Sequence, residues 1–491
     1  MDLADLTLIE LVQALRAGDV TPAQAAAHHL DRIAEHGGLG AFATVTREAA
    51  LARAGALAAV PSDPPPLWGV PLADKDLVAR EGVPTRYGSR AFGDLVPDTS
   101  DPLALALDGL GSVSLGKTST PEFGLTGYTE PAAGAPCRNP WDPATGAGGS
   151  SGGAAVAVAT GMLPAAVASD GGGSIRIPAA TVGVVGLKPS RGRLPVANGL
   201  EGPGGLSTAG PITRTVEDAA HLLDALVGSV PHRNATAAPD PWARPHMFAP
   251  VPRGAFGEGV GPMHVGAFLG AVRREVGPLR IGATLVTPWD GWVDTALHPG
   301  ARRAYDETIR ALEGTDHRIE DVDWRPSGYP ELFTTIWRAS AASIPVADDE
   351  LDRVEPYTAW LIREGRRMGA PEALGAYRAA ATFERETIAA FERFDVVVTP
   401  ALAMAPQPIG WFGEAASPLE NFARQCQYAP HTSFVNVSGL PAVTVPVSGA
   451  TGERPWSIQL IGRPGGEARM LQVAAQLEAA RGPLPWPSSG G

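Results

Sequence analysis

Apolar positions recur at helical spacing from the start of the chain. Leu8, Ile9, Leu11, Val12 and Leu15 fall on roughly one face and predict a helix. A second helix is predicted to open at Thr21-Pro22-Ala23-Gln24, which combines a capping box with proline at the first helical position. Pro61 to Pro66 reads as a linker. From residue 67 to about 215, apolar strand candidates alternate with helical stretches through GVPLADKDL, SVSLGKT, GGAAVAVATG, AAVAS and TVGVVGLKP, with a helical LALALDGL between the first two. Residues 228–278 are rich in Pro, Gly and His with weak periodicity, and predict a surface excursion. Beyond them, LRIGATLV, PGARRAYDETIRALEG and HRIEDVDW predict strand, helix and strand, a βαβ-like unit. Helices are expected over most of 355–393. Strands are expected at FDVVVTPA, PAVTVPV and WSIQLIG, then an amphipathic helix at GEARMLQVAAQLEAA and a frayed tail, PLPWPSSGG. No internal repeat is visible. The pattern divides into N-terminal helices over 1–60 and a main body over 61–485, with its core at 67–215 and 390–480.

Composition narrows the function classes. At 491 residues and 44% apolar content, the chain can bury a large core, as one big α/β domain or two. A net charge of −13 argues against nucleic acid or an anionic membrane as the main partner. No run of eighteen apolar residues occurs, and MDLADLTLIE has neither a basic region nor an apolar signal core, so a soluble, cytoplasmic protein is expected. The two cysteines, Cys137 and Cys426, and the ten histidines lack metal-site spacing, and no zinc site is expected.

Two motifs match in letters and fail in context. Gly111-Ser112-Val113-Ser114-Leu115-Gly116-Lys117-Thr118 fits the P-loop pattern, but SVSL alternates like a strand where a phosphate-binding loop should be. Gly149-Ser150-Ser151-Gly152-Gly153 fits the nucleophile elbow of α/β-hydrolases. The elbow needs a strand just before it, whereas NPWDPATGA reads as turn and loop, and His431 is the only late histidine available.

What remains is a pair of Gly-bracketed serine sites. Ser150-Ser151 lie in one, and Ser174 lies in Asp170-Gly171-Gly172-Gly173-Ser174-Ile175-Arg176. The four amides from Gly171 to Ser174 could converge on one oxyanion, with Ser174 attacking a carbonyl. A serine hydroxyl needs a base. The chain has only three lysines, Lys75, Lys117 and Lys188, and Lys75 stands in the apolar stretch WGVPLADKDL. A desolvated, neutral Lys75 could take the proton through a second serine, for which Ser150 and Ser151 are the candidates.

GGSSGG, DGGGSIRIPAATVGVVGLKP and GVPLADKD together resemble the amidase signature family, and so do GKTSTPEF, NPWDP and SGLPAVTVPV. The similarity runs over nearly the whole chain and is strongest from 67 to 215. With TEP at 129–131, the pattern is most similar to the branch of nylon-oligomer (aminohexanoate cyclic-dimer) hydrolases. The resemblance implies a single α/β/α domain around a mixed sheet of roughly eleven strands. It implies hydrolysis of a small-molecule amide by a Ser–cis-Ser–Lys triad with no cofactor, with a homodimer left open. Ser174 then matches the nucleophile, Lys75 the base, and Ser150 the relay serine, joined to Gly149 by a cis peptide. Ser151 falls to a supporting role. Asp170 would orient the loop, and Arg176 would either hold it, the favoured reading, or meet an acidic substrate group.

Two positions depart from the family pattern. Gly171 replaces a larger residue, which could leave room for a bulky acyl group, and Ala147 replaces a proline. An acyltransferase or amide synthase, a glutaminase-type component of a tRNA amidotransferase, and a binding module on a dead scaffold are the competing classes. Pocket residues are expected within 124–136, 325–345 and 405–435, with Tyr128, Trp337, Trp411, Phe412 and Tyr428 as candidates.

Overall fold

The computed structural model describes residues 2–93, 95–194, 205–229, 266–448, 454–484 and 487. Both predicted N-terminal helices form, at Leu8–Ala17 and Pro22–Glu35, and each starts with a complete capping box: Thr7 with Glu10, and Thr21 with Gln24. Their apolar faces are not a separate layer. Leu8, Leu11, Leu15 and Ala25 join one hydrophobic cluster with Leu187, Val443, Leu460 and Leu471, from strands and a helix of the main body.

The main sheet has eight strands, in the order Arg318–Asp321, Arg280–Ala283, Val396–Pro400, Trp456–Gly462, Ala442–Ser448, Val185–Lys188, Thr208–Thr213 and Ala165–Asp170. The first three are mutually parallel and every later pairing is antiparallel, so the sheet is mixed. A second sheet pairs Phe42–Val45, Val113–Thr118 and Pro71–Lys75. The eleven strands expected in one sheet are thus divided between two. Lys75, at the end of the small sheet, reaches Ser169 on the edge strand of the large one, which places the catalytic candidates at the junction.

Several expectations need correction. Gly152–Ala159, part of the apolar run GGAAVAVATG, is a helix buried on every side; such a run has no periodicity to separate helix from strand. The excursion expected over 228–278 lies outside the described residues from 230 to 265. Its last part is not surface: Ala267–Val272 is a helix whose Phe268 and Leu269 enter the core. Most of the expected frayed tail also lies outside the described residues. Asp142–Gly146, expected as turn and loop, pairs with Arg138–Asn139 as a short ribbon. The P-loop match is resolved plainly: Val113–Thr118 is a strand.

Candidate active site

Lys75 is the last residue of a strand whose five side chains are all buried, and it is itself only 1% exposed. Its Nζ lies 2.7 Å from Ser150 Oγ, with Ser169 Oγ at 3.2 Å and the Ser169 carbonyl at 3.4 Å. Among the described residues no carboxylate is hydrogen-bonded to it. Burial pulls its pKa down to about 7, against an opposing pull from Asp170. A lysine in this state is neutral often enough near neutral pH to accept a proton. Lys188, also buried and drawn down to about 7, hydrogen-bonds only the Pro189 carbonyl among the described residues. Lys117 is held by the Val78 carbonyl and Thr85 Oγ1, in the strand that excludes a phosphate loop.

The peptide bond between Gly149 and Ser150 is cis. A side chain at Gly149 could not be accommodated, because its Cβ would lie 2.6 Å from the Tyr128 backbone. Ser151 ties the two serine segments together: its N–H donates to the Ser174 carbonyl at 3.1 Å, and its hydroxyl to the Ser169 carbonyl at 3.3 Å. Ala147 donates its N–H to the Cys137 carbonyl at 3.0 Å, a bond that a proline could not make.

Ser174 lies in the turn between strand Ala165–Asp170 and helix Arg176–Val182. Asp170 shapes that turn by accepting the N–H of Gly173 at 2.7 Å and of Ile175 at 3.2 Å. This corrects one expectation: the Gly173 amide is already spent. The N–H groups of Gly171, Gly172 and Ser174 have no protein acceptor among the described residues. Gly173 has φ 131° and packs against Thr432, so a Cβ would fit there neither conformationally nor sterically. No direct hydrogen bond joins Ser174 Oγ to Ser150 Oγ among the described residues; such contacts commonly tighten only with substrate bound.

Arg176 is fully buried and uses every donor it has. Its Nε and one terminal nitrogen grip the two Asp170 oxygens at 2.9 Å each, and the remaining hydrogens go to Asn436 Oδ1, Gln459 Oε1 and the Thr432 carbonyl. Nothing is left for an acidic substrate. Burial alone would raise the pKa of Asp170, but Arg176 and its neighbours hold it below the ordinary carboxylate range. Asn436 completes the clamp by donating to the Asp170 carbonyl and carboxylate. Asn436, Gln459 and Thr432 carried no signal in sequence, since they lie more than 250 residues from Arg176.

The cavity beside Ser174 is narrow, with ≈ 60 Å³ of space for water-sized occupants, and its walls include Gly172, Trp289, Phe333, Trp337, Phe422 and Gln425. Of the five aromatic candidates only Trp337 lines it. Tyr128, Phe412 and Tyr428 belong to a neighbouring buried cluster against which Trp411 packs. Phe333, one helical turn before Trp337, and Phe422 lie within the expected stretches 325–345 and 405–435; Trp289 lies outside all three. The space beside Gly171 is bounded by the Trp337 indole, which lies in ordinary contact, 3.7 Å from where a Cβ would be. A wider groove of ≈ 1070 Å³, lined by residues including Glu10, Glu217, Arg273 and Glu478, contains neither serine segment nor Lys75. The smaller cavity is the one that the candidate nucleophile Ser174 and Gly172 line. His431 is buried, with Nε2 3.1 Å from the Leu285 carbonyl and its pKa drawn down to about 4 by burial. It makes no hydrogen bond to a serine hydroxyl among the described residues. No group of side chains suited to a metal ion occurs among the described residues, and no helix there is long and apolar enough to cross a membrane.

Comparison with known proteins agrees with this architecture. A family model described as Amidase matches residues 24–471. A "Putative amidase" of Synechocystis sp. is 32% identical over 487 residues, covering 97% of this chain and 89% of that protein. One component of the glutamyl-tRNA(Gln) amidotransferase of Carboxydothermus hydrogenoformans is 30% identical, covering 97% of this chain and 98% of that protein. Among solved structures, 6-aminohexanoate cyclic dimer hydrolase complexed with substrate superposes with a TM-score of 0.83 at 25% identity, covering 99% of this chain and 98% of the other.

Proposed function

The chain belongs to the amidase family, and on that premise we propose that it hydrolyses a carboxylic amide through an acyl-enzyme on Ser174, with Ser150 and Lys75 as the proton relay. One observation carries the reading: a buried lysine with a depressed pKa, unpaired by any hydrogen-bonded carboxylate among the described residues, lies 2.7 Å from the Ser150 hydroxyl. Ser174 Oγ attacks the amide carbonyl while its proton passes to Ser150, whose own proton passes to neutral Lys75. The carbonyl oxygen becomes an oxyanion and receives the N–H groups of Gly171, Gly172 and Ser174, donors fixed in place before the reaction. As the C–N bond breaks, the proton returns from Lys75 through Ser150 to the departing nitrogen. The relay then takes a proton from water, whose oxygen attacks the ester; the acid leaves and Ser174 Oγ regains its hydrogen.

The amidotransferase relative leaves a second reading, in which the chain releases ammonia from glutamine for a partner. The cavity disfavours it. Free glutamine carries a carboxylate and an ammonium, and among the described residues none of the side chains lining the cavity is charged. The test is release of amine from neutral aryl and alkyl amides by the purified chain, with no partner and no ATP. Turnover supports the hydrolase reading. Ammonia release from glutamine alone, gained only when a partner protein is added, would replace it.

A further inference from the structure

One wall of the cavity beside Ser174 is pinned in place. Trp337 projects from helix Tyr329–Ala342 and stacks on Phe333 with ring centroids 5.5 Å apart and planes 15° apart. Its Nε1 donates to the Leu125 carbonyl at 3.2 Å, which fixes the indole's rotation. The six-membered ring edge, Cη2 and Cζ3, then lies 3.7 Å from the position a Cβ on Gly171 would take. The indole thus borders the space beside residue 171. Trp289 is also tethered, through Nε1 to Ser433 Oγ at 3.2 Å, and meets Phe422 edge-on at 5.8 Å.

We infer that Trp337 sets the length limit of the acyl group and that the acyl group taken is neutral and apolar; this rests on the acyl-enzyme reading given above. Among the described residues Cys426 is the only titratable side chain lining the cavity besides hydroxyls, and burial holds that thiol neutral. The Gln425 amide oxygen is committed to the Gly127 N–H at 2.8 Å. Arg176, the nearest cation by sequence to Ser174, has no donor left. A carboxylate or ammonium entering here would lose its water with no counter-charge to replace it. The assignment to the acyl side follows from the order of events. The acyl group stays bonded to Ser174 after the amine has gone, so a narrow cavity touching Ser174 and Gly172 suits the part that stays, while the amine needs an exit.

The experiment compares the wild-type chain with Trp337→Phe and Trp337→Ala on three sets of amides. One set lengthens a straight acyl chain from acetyl to decanoyl on a fixed aniline, one ends those chains in carboxylates, and one fixes the acyl group and varies the amine. Wild-type kcat/KM should fall beyond a short acyl length. In Trp337→Ala the optimum should move to longer chains, with roughly 4-fold gained per methylene newly accepted, and Trp337→Phe should move it less in the same direction. Wild type should cleave carboxylate-ended chains at least about 10-fold more slowly than alkyl chains of equal length. The inference is overturned if folded variants keep the wild-type length profile, if only the amine series responds, or if charged chains are cleaved as well as neutral ones. If wild type cleaves no amide at all, the hydrolase reading is what fails. Labelling rates with alkyl fluorophosphonates of increasing length would then decide the role of Trp337 by the same shift.

Discussion

Replacing Lys75 by arginine keeps the positive charge and removes the base, so it separates the two roles a cation could have at this site. Burial pulls Lys75 down to about 7. At pH 7 about half of such lysines are neutral, whereas at the ordinary value of ~10.4 fewer than about one in 10³ would be. The environment therefore supplies the usable base, raising its population by about 10³-fold at pH 7. Arginine stays protonated throughout. Loss of the general base should lower kcat by about 10²–10⁴-fold. Wild-type kcat/KM should rise about tenfold per pH unit below ~7 and flatten above it, in buffers of constant ionic strength with folding checked by circular dichroism. Buried His29, His221 and His431 are drawn down to about 4, so a limb near 7 would not be theirs. Lys188 is drawn to a similar value but among the described residues hydrogen-bonds neither serine segment, and Lys188→Met should leave the limb in place. A folded Lys75→Arg enzyme that keeps more than a tenth of the wild-type rate, or a rate independent of pH between about 5 and 9, would refute the reasoning.

Other outcomes follow from the same geometry. Ser150→Ala should lower kcat by about 10²–10⁴-fold, and Ser151→Ala by much less, because the Ser151 hydroxyl only donates to the Ser169 carbonyl; equal losses would leave the relay unassigned. Lys75→Met should raise the melting temperature at pH 7 more than at pH 10. Between about 7 and ~10.4 the unfolded chain holds the Lys75 proton and the folded chain does not, so wild-type stability rises with pH across that window and the variant's advantage shrinks; an advantage that grows with pH would contradict the depressed value. Arg176→Met should cost about 3–5 kcal/mol in urea unfolding, because Asp170 would be left buried without its ion pair, and a cost under about 1 kcal/mol would mean that the clamp is not structural. Dialysis against EDTA should leave the rate unchanged; loss restored by zinc would require a different mechanism.

The catalytic candidates were legible because their chemistry is rare in this chain. Three lysines among many arginines, and two serine sites set in glycine, stand out without any structure. The clamp around Arg176 was not legible. Its partners Asn436 and Gln459 are ordinary polar residues brought in by a helix and a strand from the far end of the chain. The cavity walls were largely legible: Gly124 to Gly127, Phe333, Trp337, Phe422 and Gln425 fall in the three expected stretches, whereas Trp289 lies outside them, before a segment with no periodic pattern. Element type failed where periodicity fails, in the uniformly apolar helix Gly152–Ala159. The division of the strands into two sheets depends on which edges pair, and local sequence does not record that.

The central claim, that Ser174 is the acylated residue, is tested most directly by a fluorophosphonate probe followed by peptide mass mapping. The account predicts label on Ser174, reduced by orders of magnitude in labelling rate when Lys75 is arginine. Label on Ser151 with Ser174 unmodified would contradict it and move the reading to an elbow-type hydrolase.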